Sequence, residues 1–121
     1  MRPTLKGWHR KTFAVVLQPL MGRELRAALV EGLVCGPFGI YAGNAYEVRG
    51  EVTGRKDYTL VHLPSQTPKL KLPRMKLCRQ AALDFAECDL AWESAWAPGI
   101  TGPDLEKARE IHRRWTRWGE R

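Results

Sequence analysis

Apolar and polar positions divide this chain into short elements punctuated by glycine and proline. Residues 12–17, Thr-Phe-Ala-Val-Val-Leu, form an apolar run with β-branched members, stopped by Pro19, and predict a buried strand. Between residues 21 and 34, Leu25, Ala28, Leu29, Gly32 and Leu33 recur at helical spacing, and Gly36-Pro37 supplies a stop, so a helix is expected there. Residues 38–42 are read as a short strand, and Gly43-Asn44 as a tight hairpin turn into residues 45–52. In that stretch Tyr46, Val48 and Val52 alternate with Glu47, Arg49 and Glu51, the pattern of a half-buried strand. Residues 58–63 predict one more antiparallel strand, ended by Pro64.

In the second half the spacing changes. Pro64, Pro68 and Pro73 mark residues 64–73 as an extended connection. Pro73 suits the opening of a helix reaching about Trp92, with Cys78, Ala81, Ala82, Phe85, Cys88 and Trp92 as its core stripe. Ala97-Pro98-Gly99 breaks the chain, and Thr101-Gly102-Pro103-Asp104 resembles a capping box with Asp in place of Glu. A last helix over 102–118 would bury Leu105, Ala108, Ile111, Trp115 and Trp118. The expected order is therefore β-α-β-β-β-α-α. That order predicts an α+β fold: a small, mostly antiparallel sheet with helices packed on one face, closed by a C-terminal antiparallel helix pair. A length of 121 residues fits one domain. Residues 1–11, with Arg2, Lys6, Arg10 and Lys11 and no acid, are expected to form a basic flexible arm, leaving 12–121 as the domain.

Composition adds a partner class and a compartment. Twenty Lys and Arg against thirteen Asp and Glu give a net charge of +7, which favours a polyanionic partner. No apolar run approaches the roughly 20 residues of a membrane span, and the N-terminus is too polar for a secretory signal. Cys35, Cys78 and Cys88 are odd in number, widely spaced and set in apolar contexts, so they are expected to be reduced and buried. Together these point to a cytoplasmic protein.

The charges are sorted along the chain. Lys69, Lys71, Arg74, Lys76 and Arg79 fall in a stretch without acids. Asp84, Glu87, Asp89, Glu93, Asp104 and Glu106 follow without a base, and Arg113, Arg114 and Arg117 restore the positive sign. The first C-terminal helix thus carries cations at its start and carboxylates at its end, against the helix dipole, whereas the second obeys it. Were the two helices antiparallel neighbours, Lys69, Lys71, Arg74, Lys76 and Arg79 would gather beside Arg113, Arg114, Arg117 and Arg121, nine cations at one end. Phosphate at such a helix start would meet backbone N–H groups, dipole and side-chain charge together. Trp118, among these arginines, is a candidate for stacking on a base, with Trp96 second. Trp92 and Trp115 are expected to fill the space between helices.

Other chemistry finds little support in the spacing. His9, His62 and His112 form no pattern of an acid–base pair, and His62 is expected as a structural histidine within its strand. No pair of Cys or His residues has zinc-ligand spacing, and Gly36, Gly39 and Gly43 form no phosphate-cradling loop. No cofactor or metal is expected, and no catalytic residue. The leading expectation is a non-catalytic module that contacts nucleic-acid backbone, or a nucleoprotein complex, through Lys69, Lys71, Arg74, Lys76, Arg79, Arg113, Arg114, Arg117 and Trp118. A second is a small inhibitor or adaptor that docks on another protein, for instance a phage or mobile-element accessory protein blocking a host defence complex. A third is an enzyme without a recognisable signature.

Overall fold

The computed structural model describes residues 5–17, 26–43, 57–88, 90, 92 and 103–119. Five strands are followed by two helices: β1 His9–Leu17, β2 Arg26–Cys35, β3 Phe38–Ala42, β4 Tyr58–His62, β5 Thr67–Leu72, α1 Met75–Ala86 and α2 Pro103–Gly119. The strands form one antiparallel meander in the order β1-β2-β3-β4-β5. The fold is thus α+β, with an antiparallel sheet and two C-terminal helices, as the sequence pattern predicts.

Alternation assigns the two faces. Phe38, Ile40, Leu60, Leu70 and Leu72 point to the helix side, where they form one core with Cys78, Ala81, Ala82 and Phe85 of α1 and with Ala108 and Ile111 of α2. Phe13, Val15, Val30, Val34, Tyr41 and Val61 form a second core on the opposite face. The sheet can bury both faces because it curls: the Val16 N–H donates to the Gln66 carbonyl at 2.8 Å, bringing β1 to the turn between β4 and β5. Gly32 and Gly39 lie under the Phe13 ring, whose atoms come within 3.1 and 3.0 Å of where their Cβ atoms would stand.

The second element differs from the sequence expectation: residues 26–35 are strand β2, not part of a helix over 21–34. Its residues satisfy two periods at once. Leu29 and Leu33 fit a helix stripe, but Ala28, Val30, Gly32 and Val34 also alternate. Val30 and Val34 are β-branched, and Gly32 weakens a helix. Nine register pairs with β1, from His9↔Val34 to Leu17↔Arg26, decide in favour of the strand.

Smaller differences follow the same logic. β1 begins at His9, inside the stretch expected as an arm, and Leu5 and Trp8 pack against the helix-side core. Residues 67–72 form β5 rather than part of a connection. Pro68 is accommodated because β5 pairs only with β4, and the pairing is irregular beside it. Helix α1 ends at Ala86, yet Cys88, Leu90 and Trp92 remain in the core. The strand expected over 45–52 lies outside the described residues. Cys35, Cys78 and Cys88 are buried and none is in a disulfide. Among the described residues no helix is long and apolar enough to cross a membrane.

Candidate functional site

Helix α1 starts with an extended residue, Arg74 (φ −139°, ψ 140°), whose side chain makes no capping hydrogen bond. The first turn carries no acid, and the last turn carries no base. Arg74, Lys76 and Arg79 are all exposed. Arg79 Nη2 rests 3.7 Å from Met75 Sδ, and none of the three cations has a salt bridge among the described residues. Positive side chains therefore crowd the positive pole of a helix, with no salt-bridged carboxylate among the described residues to relieve them. An anion placed there would gain from all of them.

The other predicted cations are distributed differently. Lys71 lies 3.9 Å from Asp57. Lys69 is the extra residue of a β-bulge: Leu60 pairs with Leu70 and Val61 with Pro68, so Lys69 has no partner in the ladder. It is half-buried, and burial pushes its ammonium below the usual lysine range. Its carbonyl accepts the His112 Nε2–H of α2 at 3.1 Å.

Arg113, Arg114 and Arg117 do not join the start of α1 as a common tip. Arg114 meets Asp84, at 3.3 Å, and Trp115 Nε1–H donates to the same carboxylate at 2.8 Å. Asp84 lies ten residues beyond Arg74, about 15 Å along a helix at 1.5 Å per residue. The C-terminal half of α2 thus contacts the acidic end of α1. Arg113 is held by Glu110 at 2.8 Å, and that contact keeps the Glu110 carboxyl below the usual carboxylate range. Arg117 is exposed. The Trp118 side chain and Trp96 lie outside the described residues. The sequence expectation of one nine-cation cluster is therefore replaced by a smaller one, Arg74, Lys76 and Arg79.

Trp115 packs half-buried against the core, while Trp92 fills space between α1 and the sheet rather than between the two helices. Trp92 packs tilted on Phe38 and edge-on to Phe85 and His62, with ring centroids 5.3, 5.8 and 5.8 Å away. His62 is fully buried, and its Nε2–H donates to the Trp92 carbonyl. Its Nδ1 lies 2.7 Å from the Ser65 hydroxyl oxygen, and that hydroxyl donates to the His62 carbonyl at 3.3 Å. This histidine ties β4 to the segment after α1, which is a structural task. Burial pushes the Cys78 thiol up from 9.0 to about 12, so it stays protonated at neutral pH. Among the described residues no three His, Cys, Asp or Glu side chains gather in a metal-ligand arrangement.

One feature escaped the sequence reading. Among the described residues α1 packs against β3, β4 and β5, while Leu29 and Glu31 on the same side of β2 are exposed. At that border lies a cleft of about 430 Å³ lined by Arg10, Glu31, Leu33, Ile40, Ala42 and Met75. Leu29, farther along β2, is 72% exposed. The cleft joins residues of β1, β2, β3 and α1, and no local pattern encodes that.

Comparison with known proteins finds no match to any protein-family model, curated protein or solved structure. Function must be argued from the site.

Proposed function

We propose that this protein is a non-catalytic binding module that holds the phosphate backbone of a nucleic acid at the start of α1. The observation that carries the reading is the trio Arg74, Lys76 and Arg79, exposed at an uncapped helix start and free of salt bridges among the described residues. The net charge of +7 favours the same partner class. Contacts of this kind reward backbone charge over base identity. Lys69 and Lys71 flank the trio in sequence, while Arg113 and Arg114 are engaged by carboxylates and drop out. A cytoplasmic location accords with three buried cysteines outside any disulfide, one of them protonated at neutral pH.

The test is the salt dependence of affinity for a labelled oligonucleotide, read by fluorescence anisotropy. Three neutralised phosphates give a slope near −2.7 in log–log form, so affinity for duplex should fall about 40-fold between 50 and 200 mM salt. Arg74→Glu should weaken binding while leaving the unfolding midpoint within experimental spread. Absence of binding at 50 mM salt would sink the proposal.

A second reading, a small inhibitor or adaptor docking on another protein, draws support from Leu29 and Leu83, which are 72% and 52% exposed. Nuclease-treated affinity capture that retains a stoichiometric protein, lost on Leu29→Ser, would favour it.

A further inference from the structure

The open cleft and the cations share a wall. Met75 lines the cleft and is the first residue of α1, between Arg74 and Lys76. Arg79 reaches back to within 3.7 Å of its sulfur. A chain of phosphates passing the start of α1 would therefore run along the rim of a cavity whose volume, about 430 Å³, lies in the range of small-molecule sites.

The lining is amphiphilic in a particular way. Leu33, Ala42 and the polarizable thioether of Met75 offer a surface for an aromatic ring, above the buried Ile40. At the lip, Arg10 and Glu31 stand 3.7 Å apart with side chains 84% and 69% exposed, a loose pair that is free to exchange partners. A guanidinium and a carboxylate side by side present the donors and the acceptor that the polar edge of a base requires. An acidic peptide, which the cations alone would also attract, would meet the Glu31 carboxylate.

We infer that the cleft beside Met75 seats one unpaired base of a single-stranded nucleic acid whose backbone passes Arg74, Lys76 and Arg79. This rests on the phosphate-contact reading and narrows it to a substrate class. In a duplex the base edge is paired and its faces are stacked, so entry would require flipping the base out. Single strands carry no such penalty. Arg10 stacks on or bonds to the base, and Glu31 accepts from an exocyclic amine.

Anisotropy titrations at 50 mM salt test this with four labelled 12-mers: single-stranded DNA, the same sequence as RNA, an abasic single strand, and the DNA duplex. Binding of either intact single strand at least tenfold tighter than of both the abasic strand and the duplex supports the inference. The DNA and RNA arms separate the two sources of the same chemistry. Ala42→Leu, at an exposed lining position, should remove most of that advantage and leave abasic binding within twofold. Equal binding of intact, abasic and duplex probes overturns the base site while the phosphate reading stands. Failure to bind any probe, including a case where only an acidic peptide binds, overturns both.

Discussion

Two glycines sit beneath one phenylalanine, and substituting each should give different results. Gly32 and Gly39 both face the second core, and neither has a positive φ, so an alanine brings a steric cost without backbone strain. At Gly39 the added methyl would stand 2.8 Å from Leu63 Cδ2 and 3.0 Å from Phe13 Cζ. Leu63 is half-buried and its methyl can rotate away, so the penalty should be near 1 kcal/mol, the low end of overpacking. Part of it is offset by about 0.4–1 kcal/mol from the stiffer unfolded chain.

At Gly32 the methyl would overlap the backbone carbonyl of Ile40 and lie 3.1 Å from Phe13 Cε1. That carbonyl belongs to a fully buried residue in the β2–β3 ladder, so it can withdraw only by disturbing the strand pairing. Overpacking of about 1–3 kcal/mol plus a lost hydrogen bond of about 1 kcal/mol, less the same offset of about 0.4–1 kcal/mol, gives a net cost of about 1–3.5 kcal/mol. In urea, with a slope near 2 kcal/mol/M, Gly32→Ala should unfold about 1 M below Gly39→Ala. Equal midpoints for the two variants would refute the geometric argument, as would Gly32→Ala unfolding with the parent.

Other consequences can be measured on the same protein. The Cys78 thiol is raised from 9.0 to about 12 in the folded state, so its contribution is complete below pH 9 and is lost as pH climbs toward 12. The parent should lose about 1.4 kcal/mol per pH unit there relative to Cys78→Ala, and a constant difference between the two would contradict the burial. Asp84→Ala strips the Trp115 N–H of its acceptor and should cost about 1–2 kcal/mol, whereas Asp84→Asn retains an acceptor and should cost under about 1 kcal/mol. Matching losses would show that charge, not the indole hydrogen bond, holds the helices together. His62→Phe leaves the Trp92 carbonyl without its buried donor, and a drop of about 1–3 kcal/mol in unfolding free energy is expected. An unchanged urea midpoint would contradict the tie between β4 and Trp92.

Much of the architecture was legible where one period dominated. Strands β1, β3 and β4 and both helices follow from alternation or helical spacing in residues that later prove to be core, among them Val15, Ile40, Leu60, Cys78 and Ile111. Strand β2 was not legible, because its leucines fit a helix and only pairing with β1 resolves the ambiguity. In β5 the alternation of Lys69, Leu70, Lys71 and Leu72 was present, but Pro68 and Pro73 outweighed it as punctuation. For the site, local reading located the cations and the reversed charge order of α1. It could not foresee that α2 meets Asp84, since the place where two helices touch is set by the whole core. The cleft has the same origin: its lining comes from β1, β2, β3 and α1, which only the folded chain brings together.

The bond from Val16 to Gln66 also constrains how the molecule is made. A ribosome delivers β1 and β2 first, and their hairpin can pair as soon as both have emerged. Phe13, Val15 and Val30 then face water until Val61 and the turn at Gln66 arrive to cover them. For the time it takes to translate the roughly thirty residues between Cys35 and Gln66, the nascent hairpin displays a bare apolar side, the condition in which emerging chains recruit chaperones or adhere to one another. Slow translation between β2 and β4 would lengthen that interval, whereas rapid passage would shorten it.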